Sequence, residues 1–136
     1  MVESLLPHRG EALFLREVVT HDQGSLTALA SVPDRSAYAD AGAVDALLAI
    51  EIAAQAAAAH AGLQRSDARE SPGTGFLVGI KTLDILAPSF LAEQKIEVRI
   101  RLLGRAQQLA SWSFELGDPR SVIARGELSV WSGTAT

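Results

Sequence analysis

The sequence predicts an α+β domain in which an antiparallel β-sheet wraps around one long central helix. Three observations predict it. One helix-forming segment is apolar on every side, the strand-like segments are apolar on one side only, and a pair of strands precedes the helix while the rest follow it. With 136 residues, the chain is the length of one domain spanning residues 1–136.

The helix is the most informative element. From Val44 to Ala61 the chain reads VDALLAIEIAAQAAAAHA, rich in alanine and leucine, the best helix formers. Gly62 followed by Leu63 suits a left-handed stop with an apolar contact after it. Such a helix is about 27 Å long. Its apolar residues form no stripe but surround it, so the helix must be wrapped by other structure or by lipid. Lipid is excluded. The low-polarity stretch from Ala41 to Leu63 contains Asp45, Glu51, Gln55 and His60, and one carboxylate near mid-bilayer costs about 3 kcal/mol.

The wrapping material is β. Leu13 to Val19 and Leu26 to Val32 form a hairpin around Asp22-Gln23-Gly24. After the helix comes Gly75 to Ile80, short and apolar. Ile96, Val98, Ile100 and Leu102 alternate with Glu97, Arg99 and Arg101; Trp112, Phe114 and Leu116 alternate with serines and Glu115. Val122, Ala124, Gly126, Leu128 and Val130 do the same, and turn-like Gly104 to Gln108 and Gly117 to Arg120 join the three into an antiparallel meander. Two breaks, Val32 to Gly42 and the polar Gln64 to Gly75, read as surface loops rather than linkers. A sheet curled around a single helix accounts for both the helix and the one-sided strands. This is the hot-dog arrangement.

Composition narrows the function. A net charge of −4 with no basic run argues against nucleic acid, which demands a Lys/Arg footprint. The absence of cysteine removes disulfides, thiolate chemistry and sulfur-ligated zinc. Met1 to Leu6 show no cationic segment leading into an apolar one, so the reading is a cytoplasmic protein without membrane attachment.

Three segments in register resemble a known family. Leu5-Leu6-Pro7-His8-Arg9 with Leu13-Phe14-Leu15 resembles the opening of the hot-dog 3-hydroxyacyl-acyl-carrier-protein dehydratases. Ile50-Glu51-Ile52-Ala53-Ala54-Gln55 is similar to their central-helix motif, and Val78-Gly79-Ile80-Lys81 with Ala87-Pro88 to their third segment. Tyr38-Ala39-Asp40-Ala41-Gly42 with Gly62-Leu63 looks closest to the divergent dehydratase-like branch of aryl-polyene pathways. The resemblance implies loss of water from a 3-hydroxyacyl thioester, carried on acyl carrier protein or coenzyme A, to give the 2-enoyl thioester. It implies no metal and no cofactor, and active sites at a dimer interface with a histidine of one subunit facing the helix carboxylate of the other. A homodimer and a heterodimer with a related subunit both fit.

Dehydration needs a base for the α-proton, an acid for the departing hydroxyl and donors for the developing enolate oxygen. Glu51, mid-helix among Ile50, Ile52 and Ala53, is the expected acid/base, since burial raises a carboxyl's pKa toward neutrality. Gln55, one turn on, is expected to bind substrate or to pair with Glu51. The backbone at Gly79 offers a close approach to a thioester. The family's histidine position falls on Ala37, and its Pro-Gly before the helix is replaced by Asp45-Ala46. Tyr38 and His8 are the remaining candidates for the missing acid, against an aromatic plug and a structural residue respectively. His60 lies about 180° around the helix from Glu51 and is read as a C-terminal cap; His21 is read as solvated. The leading function is a 3-hydroxyacyl-thioester dehydratase. The alternatives are a non-catalytic hot-dog partner of a dehydratase, or an acyl-thioesterase using Glu51 to activate water.

Overall fold

The computed structural model describes residues 13–67, 76–118 and 120–132. The elements run β1 (Leu15–His21), β2 (Ser25–Ala30), β3 (Ala39–Asp40), β4 (Ala43–Asp45), α1 (Leu48–Asp67), β5 (Phe76–Ile85), β6 (Ser89–Leu91), β7 (Ile96–Ala106), β8 (Leu109–Asp118) and β9 (Ser121–Ser132). The main sheet has the order β1-β2-β7-β8-β9-β5, antiparallel throughout, and curls around α1 in the hot-dog arrangement.

Strand alternation decides which residues meet the helix. Leu26, Ala28 and Ala30 of β2, Ile96, Val98 and Ile100 of β7, Trp112, Phe114 and Leu116 of β8, and Ala124, Leu128 and Val130 of β9 are all buried. The intervening residues face outward as a ladder of paired charges: Arg99 bonds Glu97 at 3.1 Å and also bonds Glu115, while Arg125 sits 3.9 Å from Asp84. On the helix every residue from Ile52 to Ala61 is buried, whichever way it points. Alanine's small side chain lets the sheet come close on all sides, which is why so alanine-rich a helix can be enclosed.

Two expected helix boundaries move. The helix starts at Leu48, not Val44, because Val44 and Asp45 are captured as β4 and pair with Phe90 and Ser89 of β6. Asp45 instead accepts the Leu47 N–H at 2.8 Å and punctuates the entry to the helix. The helix also runs through Gly62 to Asp67. A glycine inside a helix costs about 1 kcal/mol, and buried Ala61 and core-packed Leu63 on either side outweigh it.

A second sheet, β3-β4-β6, was not expected from the sequence. Its β3–β4 hairpin turns over Ala41 and Gly42, both left-handed at φ 53° and 80°, as a tight two-residue hairpin turn requires. The Ala92 N–H donates to the Gly42 carbonyl at 2.9 Å and the Glu93 N–H to the Val32 carbonyl at 2.8 Å. Glu93 in turn accepts the Asp34 N–H at 2.9 Å, so the segment before the helix is pinned to the β6–β7 connection. Strand β5 extends past Ile80 to Ile85, with a bulge between Ile80 and Thr82. β9 crosses it closely there: a Cβ on Gly126 would lie 2.1 Å from the Thr82 carbonyl oxygen.

Candidate functional site

The late start of α1 changes the setting of Glu51. It lies in the first turn of the helix rather than in its middle, and it is half-buried rather than enclosed. A carboxylate there sits at the positive end of the helix dipole. Ala49 before it and Ile52 and Ala53 after it are fully buried, so Glu51 lies on the less enclosed side of the first turn.

Gln55 is fully buried one turn later. Its Oε1 accepts two consecutive backbone N–H groups, from Phe14 at 2.9 Å and Leu15 at 3.2 Å. Since both partners donate, the oxygen must face them and the NH₂ must face the other way. It does: Nε2 donates to Glu51 Oε1 at 3.3 Å. The Phe14 ring also meets Tyr38 edge-on, with centroids 5.5 Å apart. Tyr38, Phe14, Gln55 and Glu51 therefore form one connected cluster around the start of β1. Tyr38 is 51% exposed, and its N–H donates to the hydroxyl of buried Ser36 at 3.1 Å.

The other sequence candidates fall elsewhere. Gly79 lies on β5 opposite Ser129, at the margin of the main sheet, with open space where a side chain would project. His8 is outside the described residues. His21 is exposed at the end of β1, as expected. His60 is no helix cap, because the helix continues past it to Asp67. It is wholly buried, accepts the Trp112 indole N–H at 3.1 Å and meets the Asp22 carbonyl at 2.8 Å. Burial pushes its pKa below the usual histidine value. Among the described residues no group of His, Cys, Asp and Glu is arranged to hold a metal ion, and no helix is long and apolar enough to cross a membrane.

Sequence reasoning missed the role of Phe14 and Leu15. Their contribution is made by backbone N–H groups, which leave no mark on residue identity. The polar Gln55 among alanines was the one visible signal that a buried acceptor was needed.

The fold that carries this site is shared with known proteins. The family described as ApeP-like, ApeP dehydratase, matches residues 1–136. The chain belongs to the ApeP dehydratase family. Among solved structures, the dehydratase heterocomplex ApeI:P from Xenorhabdus doucetiae superposes with a TM-score of 0.90 at 20% identity, covering 98% of this chain and 91% of that one. Cj0977, a sigma28-regulated virulence protein from Campylobacter jejuni, gives 0.72 at 12% identity over 99% and 98% of the two chains. A hypothetical thioesterase protein with coenzyme A from Streptococcus pneumoniae TIGR4 gives 0.62 at 8% identity over 88% of each. At these identities the superpositions establish a common fold, and a fold hosts more than one reaction. No curated protein sequence matches the chain.

Proposed function

We propose that this chain is one subunit of a two-chain 3-hydroxyacyl-thioester dehydratase, to which it brings Glu51 as the acid/base group while a related hot-dog subunit brings the histidine. The observation that carries the reading is the contrast between Glu51 and the two histidines among the described residues, His21 and His60. Glu51 is held by Gln55 in the half-buried first turn of an otherwise enclosed helix. Ala37 occupies the family's histidine position, His60 is committed to Trp112 and Asp22, and His21 stands exposed at the end of β1.

In the reaction one group removes the α-proton of the acyl thioester and another protonates the β-hydroxyl, which leaves as water. Each such positioned proton transfer contributes about 10²- to 10⁴-fold. The Gly79 backbone, on β5 at the opposite edge of the sheet from β1 and with no side chain in front of it, would serve the developing enolate oxygen of a site shared between two subunits. Partnership is supported by β5: it ends the main sheet, and Ile80, Ile85 and Leu86 beside it are exposed. An apolar sheet edge of this kind invites a partner strand. The likeness to a chain of a dehydratase heterocomplex supports a related subunit as the partner. The acyl group arrives on acyl carrier protein or coenzyme A, in a cytoplasmic setting.

The test is enoyl-thioester formation from a 3-hydroxyacyl thioester, with this chain alone and with a histidine-bearing hot-dog subunit. Turnover only in the mixture, lost with Glu51→Gln, is the expected result. Full turnover by this chain alone would overturn the division of labour. Release of free thiol without enoyl product would identify a thioesterase instead.

A further inference from the structure

We infer that Gln55 is a positioning residue, an amide whose acceptor end is clamped by the β1 backbone so that its donor end holds the Glu51 carboxylate in place. The inference rests on the acid/base reading of Glu51 and assigns Gln55 a task other than substrate binding.

Hydrogen-bond direction fixes the Gln55 amide. An amide side chain rotated by 180° exchanges its oxygen and nitrogen, and on an ordinary site both orientations compete. At Gln55 the competition is removed. Oε1 takes the Phe14 N–H at 2.9 Å and the Leu15 N–H at 3.2 Å, and the flipped amide would set NH₂ against two donors in a fully buried place. Leaving such groups unmatched is costly because no water is there to replace the lost bonds. The NH₂ is thereby aimed along the helix at Glu51 Oε1, 3.3 Å away and one turn toward the N-terminus. Glu51 itself is half-buried, and a fixed donor on its Oε1 narrows the orientations open to the carboxylate. Phe14 strengthens the clamp from the other side. Its carbonyl accepts the Ser31 N–H at 3.1 Å and its ring meets Tyr38 edge-on, so the backbone segment that orients Gln55 is itself held by the residue after β2 and by the loop before β3. The carboxylate on the helix is thus tied to the position of the first strand.

The experiment separates three roles for Gln55. Gln55→Glu keeps acceptor oxygens for the two β1 N–H groups but removes the N–H donated to Glu51. Gln55→Met keeps the length, adds no charge, and removes both functions. Steady-state kinetics are measured in the assembly that turns over, with circular dichroism as a check on folding. A positioning role predicts that kcat falls roughly ten- to a hundredfold in both variants while KM stays within about threefold. A substrate-binding role predicts the reverse, a raised KM with kcat held, and would overturn the inference. A role limited to anchoring β1 predicts wild-type kinetics in Gln55→Glu, which keeps the anchor, and would overturn it equally. If Gln55→Glu does not fold, Gln55→Met decides between the first two outcomes. Should Glu51→Gln turn over normally, the acid/base reading itself fails; should Glu51→Gln be inactive while both Gln55 variants are normal, only the positioning inference fails.

Discussion

The indole N–H of Trp112 donates to Nδ1 of His60 at 3.1 Å, which commits the ring to a single tautomer. With Nδ1 accepting, the proton resides on Nε2 and is donated to the Asp22 carbonyl at 2.8 Å. Both side chains are buried, so the helix, β8 and the β1–β2 turn are joined through one neutral imidazole.

Protonating that ring would place an N–H on Nδ1 against the indole N–H. Burial is the main cause of the lowered pKa, opposed by the Asp22 carbonyl and reinforced by the Arg105 guanidinium; the Asp22 carboxylate and His21 exert smaller opposite effects. The unfolded chain takes up this proton near the ordinary value of 6.5, and the folded chain does so only at lower pH. The stabilisation is therefore complete above that value and is lost as pH falls from it toward the folded pKa. Urea midpoints measured from about pH 7.5 to about pH 5.5 should fall with pH, and His60→Gln should flatten the decline. The Asp22 carboxyl, lowered mainly by the Gly24 N–H, loses its contribution only as pH falls below 3.8, outside that window.

Trp112→Phe removes the donor to His60 and leaves a void in the core. A loss of about 2–4 kcal/mol is expected in chemical denaturation. Trp131, 40% exposed, serves as the control, and its replacement by Phe should cost no more than about 0.5 kcal/mol.

Gly126→Ala should be severely destabilising or prevent folding. Its new Cβ would stand 2.1 Å from the Thr82 carbonyl oxygen, a backbone atom that can yield only by moving β5. Gly104→Ala meets nothing within 4 Å, and thermal melts of the two variants should show it within about 0.5 kcal/mol of wild type.

Gln107 turns the β7–β8 hairpin with φ 56°, a conformation unfavourable to any residue with a Cβ. Gln107→Gly is expected to raise stability by about 1 kcal/mol, seen as a melting midpoint a few degrees higher, with turnover unaffected.

Glu51→Gln should separate chemistry from folding. A neutral amide relieves the desolvation of a half-buried carboxylate but gives up its attraction to the helix N-terminus, so the melting midpoint should stay within a few degrees of wild type while dehydratase turnover is lost. A marked drop in midpoint would reveal a structural ion pair and weaken the catalytic reading.

Most of the fold was legible in the chain because its main signals are periodic. Trp112, Phe114 and Leu116 alternate with polar neighbours, and the structure buries those three against the helix. The meander of β7, β8 and β9 followed from short turns between such strands. The small sheet was not legible, because β3 and β4 are only 2 and 3 residues long and carry no period. Of the site, Glu51 and Gln55 were legible as polar residues in an apolar helix. The partners of Gln55, 41 and 40 residues away on β1, were not.

The sequence alone determined that a helix apolar all round must be enclosed, and that one-sided strands must do the enclosing. These follow from local propensity and the cost of exposing apolar surface. Tertiary structure decided the rest. It started the helix at Leu48, because pairing Val44 with Phe90 is worth more than extending the helix backward. It carried the helix through Gly62, because packing on both sides offsets the glycine's entropy. It turned His60 from an expected cap into a buried link to Trp112, 52 residues distant. Each of these outcomes depends on atoms that meet only after the chain has folded, and burial then makes every unmatched polar group too costly to leave alone.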